Sequence, residues 1–136
     1  MITKRFAIVA GIAYLLIGVA GFFPALLSPP DETRHITAGV LNGKLFGIFP
    51  VNLTHTLVHL AIGGWGVLAA RASDDAATYA RTIAILFAVL AVMGLFPRLD
   101  TLFGLMPLHG HDIWLHAGTA ALAAYVGWYA APDLRA

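Results

Sequence analysis

Two pairs of side chains able to hold a metal ion or share a proton recur at the same spacing. His55 and His59 lie four residues apart, as do Asp112 and His116. On a helix that spacing puts both groups of a pair on one face, one turn above the other. Where the two faces meet, three imidazoles and a carboxylate converge beside Asn52, giving a polar cluster of Asn52, His55, His59, Asp112 and His116. Three chemistries are open to it. His55, His59, Asp112 and His116 make a four-ligand set for zinc or copper, with ligating nitrogens about 2 Å from the ion. His59 and His116, one from each helix, could instead be axial ligands of a haem or chlorin, with Gly and Ala neighbours leaving room for the macrocycle. The third is a clamp, in which Asp112 accepts a hydrogen bond from one histidine and the others bond across helices, to carbonyls or to water. Such contacts are worth about 0.6 to 2 kcal/mol each.

The pairs belong to a longer match. KLFGIFPVNLTHTLVHL (Lys44 to Leu60) is echoed by TLFGLMPLHGHDIWLHA (Thr101 to Ala117) at a constant offset of 57 residues, the separation of His59 from His116. Gly47 falls on Gly104, Pro50 on Pro107, and His55 on Asp112. GFFP (Gly21 to Pro24) recurs as GLFP (Gly94 to Pro97). Each half therefore reads as a helix ending in G-x-F-P, an outer connection, an L-F-G-x-x-P turn and a second helix. The halves run over about residues 5–70 and 80–131 of a single membrane domain, 1–136.

Composition supplies the solvent for these elements. Apolar residues make up 60% of the 136 residues and charged ones 11%, with a mean hydropathy of +0.82. That is too apolar for a soluble domain of this length and belongs in a bilayer. Four stretches approach the ~20 apolar residues a spanning helix needs: about Phe6 to Leu27, Asn52 to Ala70, Tyr79 to Phe96 and Asp112 to Ala131. The third is short, so Arg81 is expected to snorkel to the interface. Spanning strands are excluded because the segments are apolar on every side rather than alternating. Lys4 and Arg5 before an apolar run resemble a signal peptide, but the run continues to Leu27 and ends in the repeated G-x-F-P, so it is assigned to the mature protein.

Two crossings per half make the repeat parallel, about an axis along the membrane normal. Lys4, Arg5, Arg71, Arg81 and Arg135 then lie on one side, against Arg34, Lys44 and Arg98 on the other, and the positive-inside rule puts both termini in the cytoplasm. The L-F-G segments become interfacial turns or amphipathic hooks. Trp114, Trp128, Tyr79 and Tyr129 become boundary anchors. His59 and His116 come to lie roughly 10 Å inside the outer boundary, with His109 and His111 at the mouth above. Ala7 with Gly11, Gly63 with Val67 and Ala117 with Ala121 provide small-residue helix contacts.

Several activities are excluded. Without cysteine there is no disulfide, thiolate nucleophile or iron–sulfur site. A net charge of +1 offers no basic patch for nucleic acid. Ser28 and Ser73 sit in no nucleophile motif, and no Walker A or H-E-x-x-H sequence occurs. His35, Asp31 and Glu32 read as a solvated loop, and Asp74-Asp75 as a polar turn or N-cap. Four short helices without a broken segment leave little cavity for transport. Size, short loops and the lack of a soluble domain favour a small non-enzymatic accessory or structural subunit of a larger membrane assembly or homo-oligomer. The alternative is a metal- or haem/chlorin-binding membrane protein using the His/Asp cluster.

LFGIFPVNLTHTLVHLAIGGWGVLAA followed by LFGLMPLHGHDIWLH resembles the bacterial four-helix membrane family known as domain of unknown function 4383, over nearly the whole chain. The family pattern of L-F-G-x-F-P-V-N, a histidine pair and a later D-x-x-L-H falls here on Asn52, His55, His59, Asp112 and His116. Where members often have Asn after the first histidine, this chain has Thr56, a hydroxyl in place of an amide. The resemblance implies an all-α four-transmembrane-helix bundle in a bacterial cytoplasmic membrane, and it implies no activity, substrate or cofactor.

Overall fold

A computed structural model describes residues 2–131; Arg135, counted above among the inner basic residues, lies outside them. Among the described residues the chain is mostly helical. Four helices, α1 (Ile2–Ala20), α2 (Leu53–Ala69), α3 (Ser73–Gly94) and α4 (His111–Ala124), are joined by a small sheet of β1 (Leu27–Ser28), β2 (Gly43–Leu45) and β3 (Phe49–Val51). Two of the helices, α1 and α3, are long and apolar enough to cross a membrane; α2 is apolar but shorter.

The first apolar run stops earlier than Leu27. Gly21 and Phe22 form a turn, and Phe23, extended at φ −97° and ψ 103°, leads into a single 3-10 turn at Pro24–Leu26. A residue before proline is driven out of the helical region, and G-F-F-P therefore ends the helix although the hydropathy continues. At its other end α1 starts at Ile2 rather than Phe6. Similarly, α3 begins at Ser73, six residues before Tyr79. Asp74 and Asp75 fall inside its first turn, where carboxylates complement the helix dipole, and Ala72 is the N-cap.

α1 packs along α2, and α3 along α4. The buried stripe of α1 is Thr3, Ala7, Gly11, Tyr14 and Gly18, mostly small residues that admit the neighbouring backbone. A Cβ on Gly11 would lie 2.7 Å from the Val67 nitrogen, and one on Gly63 2.6 Å from that of Leu15. The small-residue spacing of the sequence thus marks the α1–α2 contact. The core between the pairs is built on Tyr14, Tyr79, Ile83 and Phe87. Tyr79 is fully buried, edge-on to Trp65, and so is a core residue rather than a boundary anchor. Trp114 and Tyr129 remain exposed.

Arg81, expected to snorkel, bonds back to the end of α4. Its Nε donates to the Gly127 carbonyl at 2.8 Å, where α4 widens into a π turn over Tyr125–Tyr129. The early start of α3 places Arg81 in the third helical turn, beside a carbonyl at the end of α4 that needs a donor.

The connections after α1 and α3, expected on the outer side, differ from two like hooks. LFGIF is part of a hairpin in which Gly43 pairs with Val51 and Leu45 with Phe49, and β1 adds a third strand. LFGLM makes turns without a strand. Both nevertheless put Phe and Gly at positive φ: Phe46 at 54° and Gly47 at 74°, Phe103 at 58° and Gly104 at 85°.

Candidate metal centre

Asn52 sets the position of the first histidine pair. It is the N-cap of α2, its Oδ1 accepting the His55 N–H at 2.9 Å. Its Nδ2 donates to the Ala38 carbonyl at 2.9 Å and the Leu105 carbonyl at 2.8 Å. One buried amide thereby ties both outer connections to the start of α2, satisfying groups that would otherwise be orphaned.

One turn and two turns further on, His55 and His59 point into the core with ring centroids 4.4 Å apart. His116 comes from α4, its ring 6.0 Å from that of His55. All three are buried. One ligating nitrogen from each can be chosen so that the three lie within 4.8 Å of one another. Ligands about 2 Å from a tetrahedral ion are themselves about 3.3 Å apart, so the nitrogens would have to approach by up to about 1.5 Å to share an ion. Asp112 adjoins this trio rather than belonging to it: its Oδ2 is 3.6 Å from His55 Nδ1, beyond hydrogen-bond length.

The polar atoms here are poorly satisfied. Both ring nitrogens of His59, both of His116, His55 Nδ1 and Asp112 Oδ2 are buried without a hydrogen-bond partner. The Pro50 carbonyl is the backbone hydrogen-bonding neighbour of the His55 ring, which leaves Nδ1 to face the cluster. An orphaned buried polar group costs about 1 to 3 kcal/mol. Of the clamp expected as one outcome, in which Asp112 accepts from one histidine and the others bond across helices, to carbonyls or to water, the described residues show the His55 bond to the Pro50 carbonyl and bring Asp112 to 3.6 Å from His55.

Aromatic rings close the sides. Tyr14 packs on His59 at 5.3 Å, and Phe87 on His116 at 4.9 Å; Tyr14 OH is turned away to Thr119 Oγ1 at 3.1 Å. The glycines that were to provide room do not flank the imidazoles: beside Gly64 and Gly118 a Cβ would meet nothing within 4 Å, whereas Gly63 is packed on α1. Thr56 packs its hydroxyl against Gly21 and stands outside the trio.

The expected mouth is partly built. His109 is buried and His111 exposed. Burial, and then the Arg34 guanidinium, hold the His109 imidazolium below its usual range. Arg34 forms an ion pair with buried Asp100 at 2.5 Å. Thr37 and Ala38 donate their N–H groups to the Gly104 carbonyl, so the first outer connection is fastened over the second. Asp31, expected in a solvated loop, accepts from the Thr33 N–H and hydroxyl, which hold its carboxyl below the usual range.

Sequence reasoning did not single out Tyr14, Phe87, Arg34 or Asp100. Tyr14, a lone polar aromatic within an apolar run, carried a usable signal. Asp100, in a short connection rich in turn residues, carried none.

No curated protein and no solved structure matches the chain. A family model does, over residues 4–129, and the chain belongs to the family described as Domain of unknown function (DUF4383).

Proposed function

We propose that this protein is a four-span integral membrane protein that binds a transition-metal ion, zinc or copper, through His55, His59 and His116, with Asp112 adjoining them. The observation that carries the metal reading is the convergence of three buried imidazoles whose facing nitrogens have no other partner. Hydrogen bonding among protein groups leaves those nitrogens unsatisfied, and a single ion would satisfy three at once. Imidazole suits zinc and copper, and the Pro50 carbonyl at His55 is the type of outer partner that orients a ligating ring.

The membrane reading is supported by what faces outward. Val9, Leu16, Val19, Ile85, Val89 and Val92 are large, apolar and exposed on α1 and α3. The apolar window of α1 is only 28% buried, unlike the core helix of a soluble protein, and its inner stripe contributes Tyr14 to the site. α2 and α4 are assigned as the remaining spans, and the two halves as parallel repeats with both ends cytoplasmic. A place in a larger assembly is not needed for this role.

Elemental analysis of protein purified in mild detergent, after dialysis against trace zinc or copper, tests the proposal. About one ion per chain is expected, and its loss in His55→Ala/His59→Ala/His116→Ala. Less than about a tenth of an ion per wild-type chain with either metal would overturn it. Lowering the pH from about 8 to about 5 should release the ion, because imidazole binds metal only as the neutral base.

A further inference from the structure

α1 is bonded closely to α2 but meets α4 across a gap. The groove between α1 and α4 has a volume of about 650 Å³ and is walled by Phe6, Val9, Ala13, Leu115, Leu122 and Val126 among others. Its polar side chains are few. Tyr14 and Thr119 are occupied with each other, and Arg5 stands at one end. From Ile2 to Ile17 the groove follows α1 for roughly 22 Å, longer than the ~15 Å hydrocarbon depth of one leaflet.

Arg5 lines a second hollow, of about 360 Å³, where the start of α1 meets the end of α2. Lys4 and Arg71 line it with Arg5, together with Ile8, Val67 and Ala70. Three cations therefore meet without an acid among them. Asp74 and Asp75 follow Arg71 in sequence, yet among the described residues no carboxylate is ion-paired with any of the three. Arg5 lines both the charged hollow and the apolar groove.

We propose that this end of the molecule binds an anionic phospholipid, with its phosphate headgroup on Lys4, Arg5 and Arg71 and one acyl chain in the α1–α4 groove. The inference rests on the membrane reading and is independent of the metal. Charge complementarity selects the occupant: a second apolar helix would fill the groove but leave three cations facing no counter-charge. Basic hollows between spanning helices on the cytoplasmic side are suited to anionic headgroups, and the basic-residue bias places this end on that side.

The test is reconstitution into vesicles of equal parts phosphatidylglycerol and phosphatidylcholine, extraction in mild detergent and native mass spectrometry of the retained lipid. Retained phosphatidylglycerol should exceed phosphatidylcholine by at least about fivefold, the worth of one basic residue at a membrane surface. Lys4→Gln/Arg5→Gln/Arg71→Gln should bring the ratio close to one. Gly118→Phe is the second variant: Gly118 lines the groove and a Cβ there meets nothing, so the ring fills the groove without disturbing the fold and should lower retention of phosphatidylglycerol. An even ratio in the wild type, an unchanged ratio in the folded triple variant, or undiminished retention in Gly118→Phe would each overturn the proposal. So would displacement of the lipid by inorganic phosphate, or dimerisation that empties the groove. Failure to partition into vesicles at all would instead overturn the membrane reading.

Discussion

The starts of α2 and α4 present matched polar pairs but are anchored differently. At α2, Asn52 caps the helix and holds a carbonyl from each outer connection. The residue 57 positions on is His109, which caps nothing; the N-cap of α4 is Gly110, at φ 66° and with no side-chain cap bond. One neighbour it does have is the Leu108 N–H bond to the Asp100 carbonyl at 2.7 Å, on a residue itself held by Arg34. The first pair is thus fixed directly by its own cap, whereas the second is held through neighbouring turns.

The largest break should come from the shared trio. Removing His59 or His116 should abolish metal retention, measured by elemental analysis, whereas Asp112→Asn should retain the ion with about tenfold weaker affinity, as for a group beyond the ligand shell. Equal loss in Asp112→Asn would make the carboxylate a ligand and erase the distinction between the trio and its neighbour.

Next come the anchors themselves. Asn52→Ala removes a cap and leaves buried carbonyls unpaired, which should cost about 3 kcal/mol as read from the thermal midpoint. His109→Ala, at the matched position, should cost less than about 1 kcal/mol. Similar costs would remove the contrast between a directly and an indirectly held helix start.

The two L-F-G turns sharpen the same comparison. Both glycines have positive φ, but a Cβ on Gly104 would sit 2.6 Å from Thr37 Oγ1, whereas one on Gly47 would be 3.6 Å from Ser28 Oγ. Gly47→Ala should cost about 1 kcal/mol from the backbone alone. Gly104→Ala should cost about 2 to 3 kcal/mol, because the clash adds to that strain and loosens the fastening of the first connection over the second.

The smallest effect is titration of His109. Its folded form binds a proton less readily than the unfolded chain does, so the stability it confers is full above the unfolded value of about 6.5 and is lost as the pH falls from there through the lower folded value. Melting at about pH 7.5 and about pH 5.5 should show a loss of stability on the acid side that His109→Gln reduces by less than about 1 kcal/mol. No reduction would mean that His109 is not held by burial and Arg34.

Much of the site was legible because helical spacing is local. The i, i+4 pairs lie on α2 and α4, with His55, His59 and His116 converging and Asp112 adjoining. The helices themselves were legible in kind, while their ends were not. Hydropathy ran on through Phe22 to Leu27, where proline geometry had already ended α1, and it dropped at Ser73 to Thr78, where backbone hydrogen bonding continued α3. The hairpin from Gly43 to Val51 was invisible because its matched segment makes no strand. What separates them is β1, a strand partner that lies in the longer first connection.

Residue type and spacing by themselves determined that this chain is helical and apolar, and that four of its ionisable groups form two matched pairs on two helices. Both properties are periodic and read from neighbours along the chain. Only the tertiary structure decided which polar atoms meet. It brought the three imidazoles together with Asp112 beside His55, packed Tyr14 and Phe87 on two of them, sent Arg81 to Gly127, and joined Arg34 to Asp100. Each of these depends on how distant segments pack, and on a short side chain's reach across a gap that no local spacing encodes.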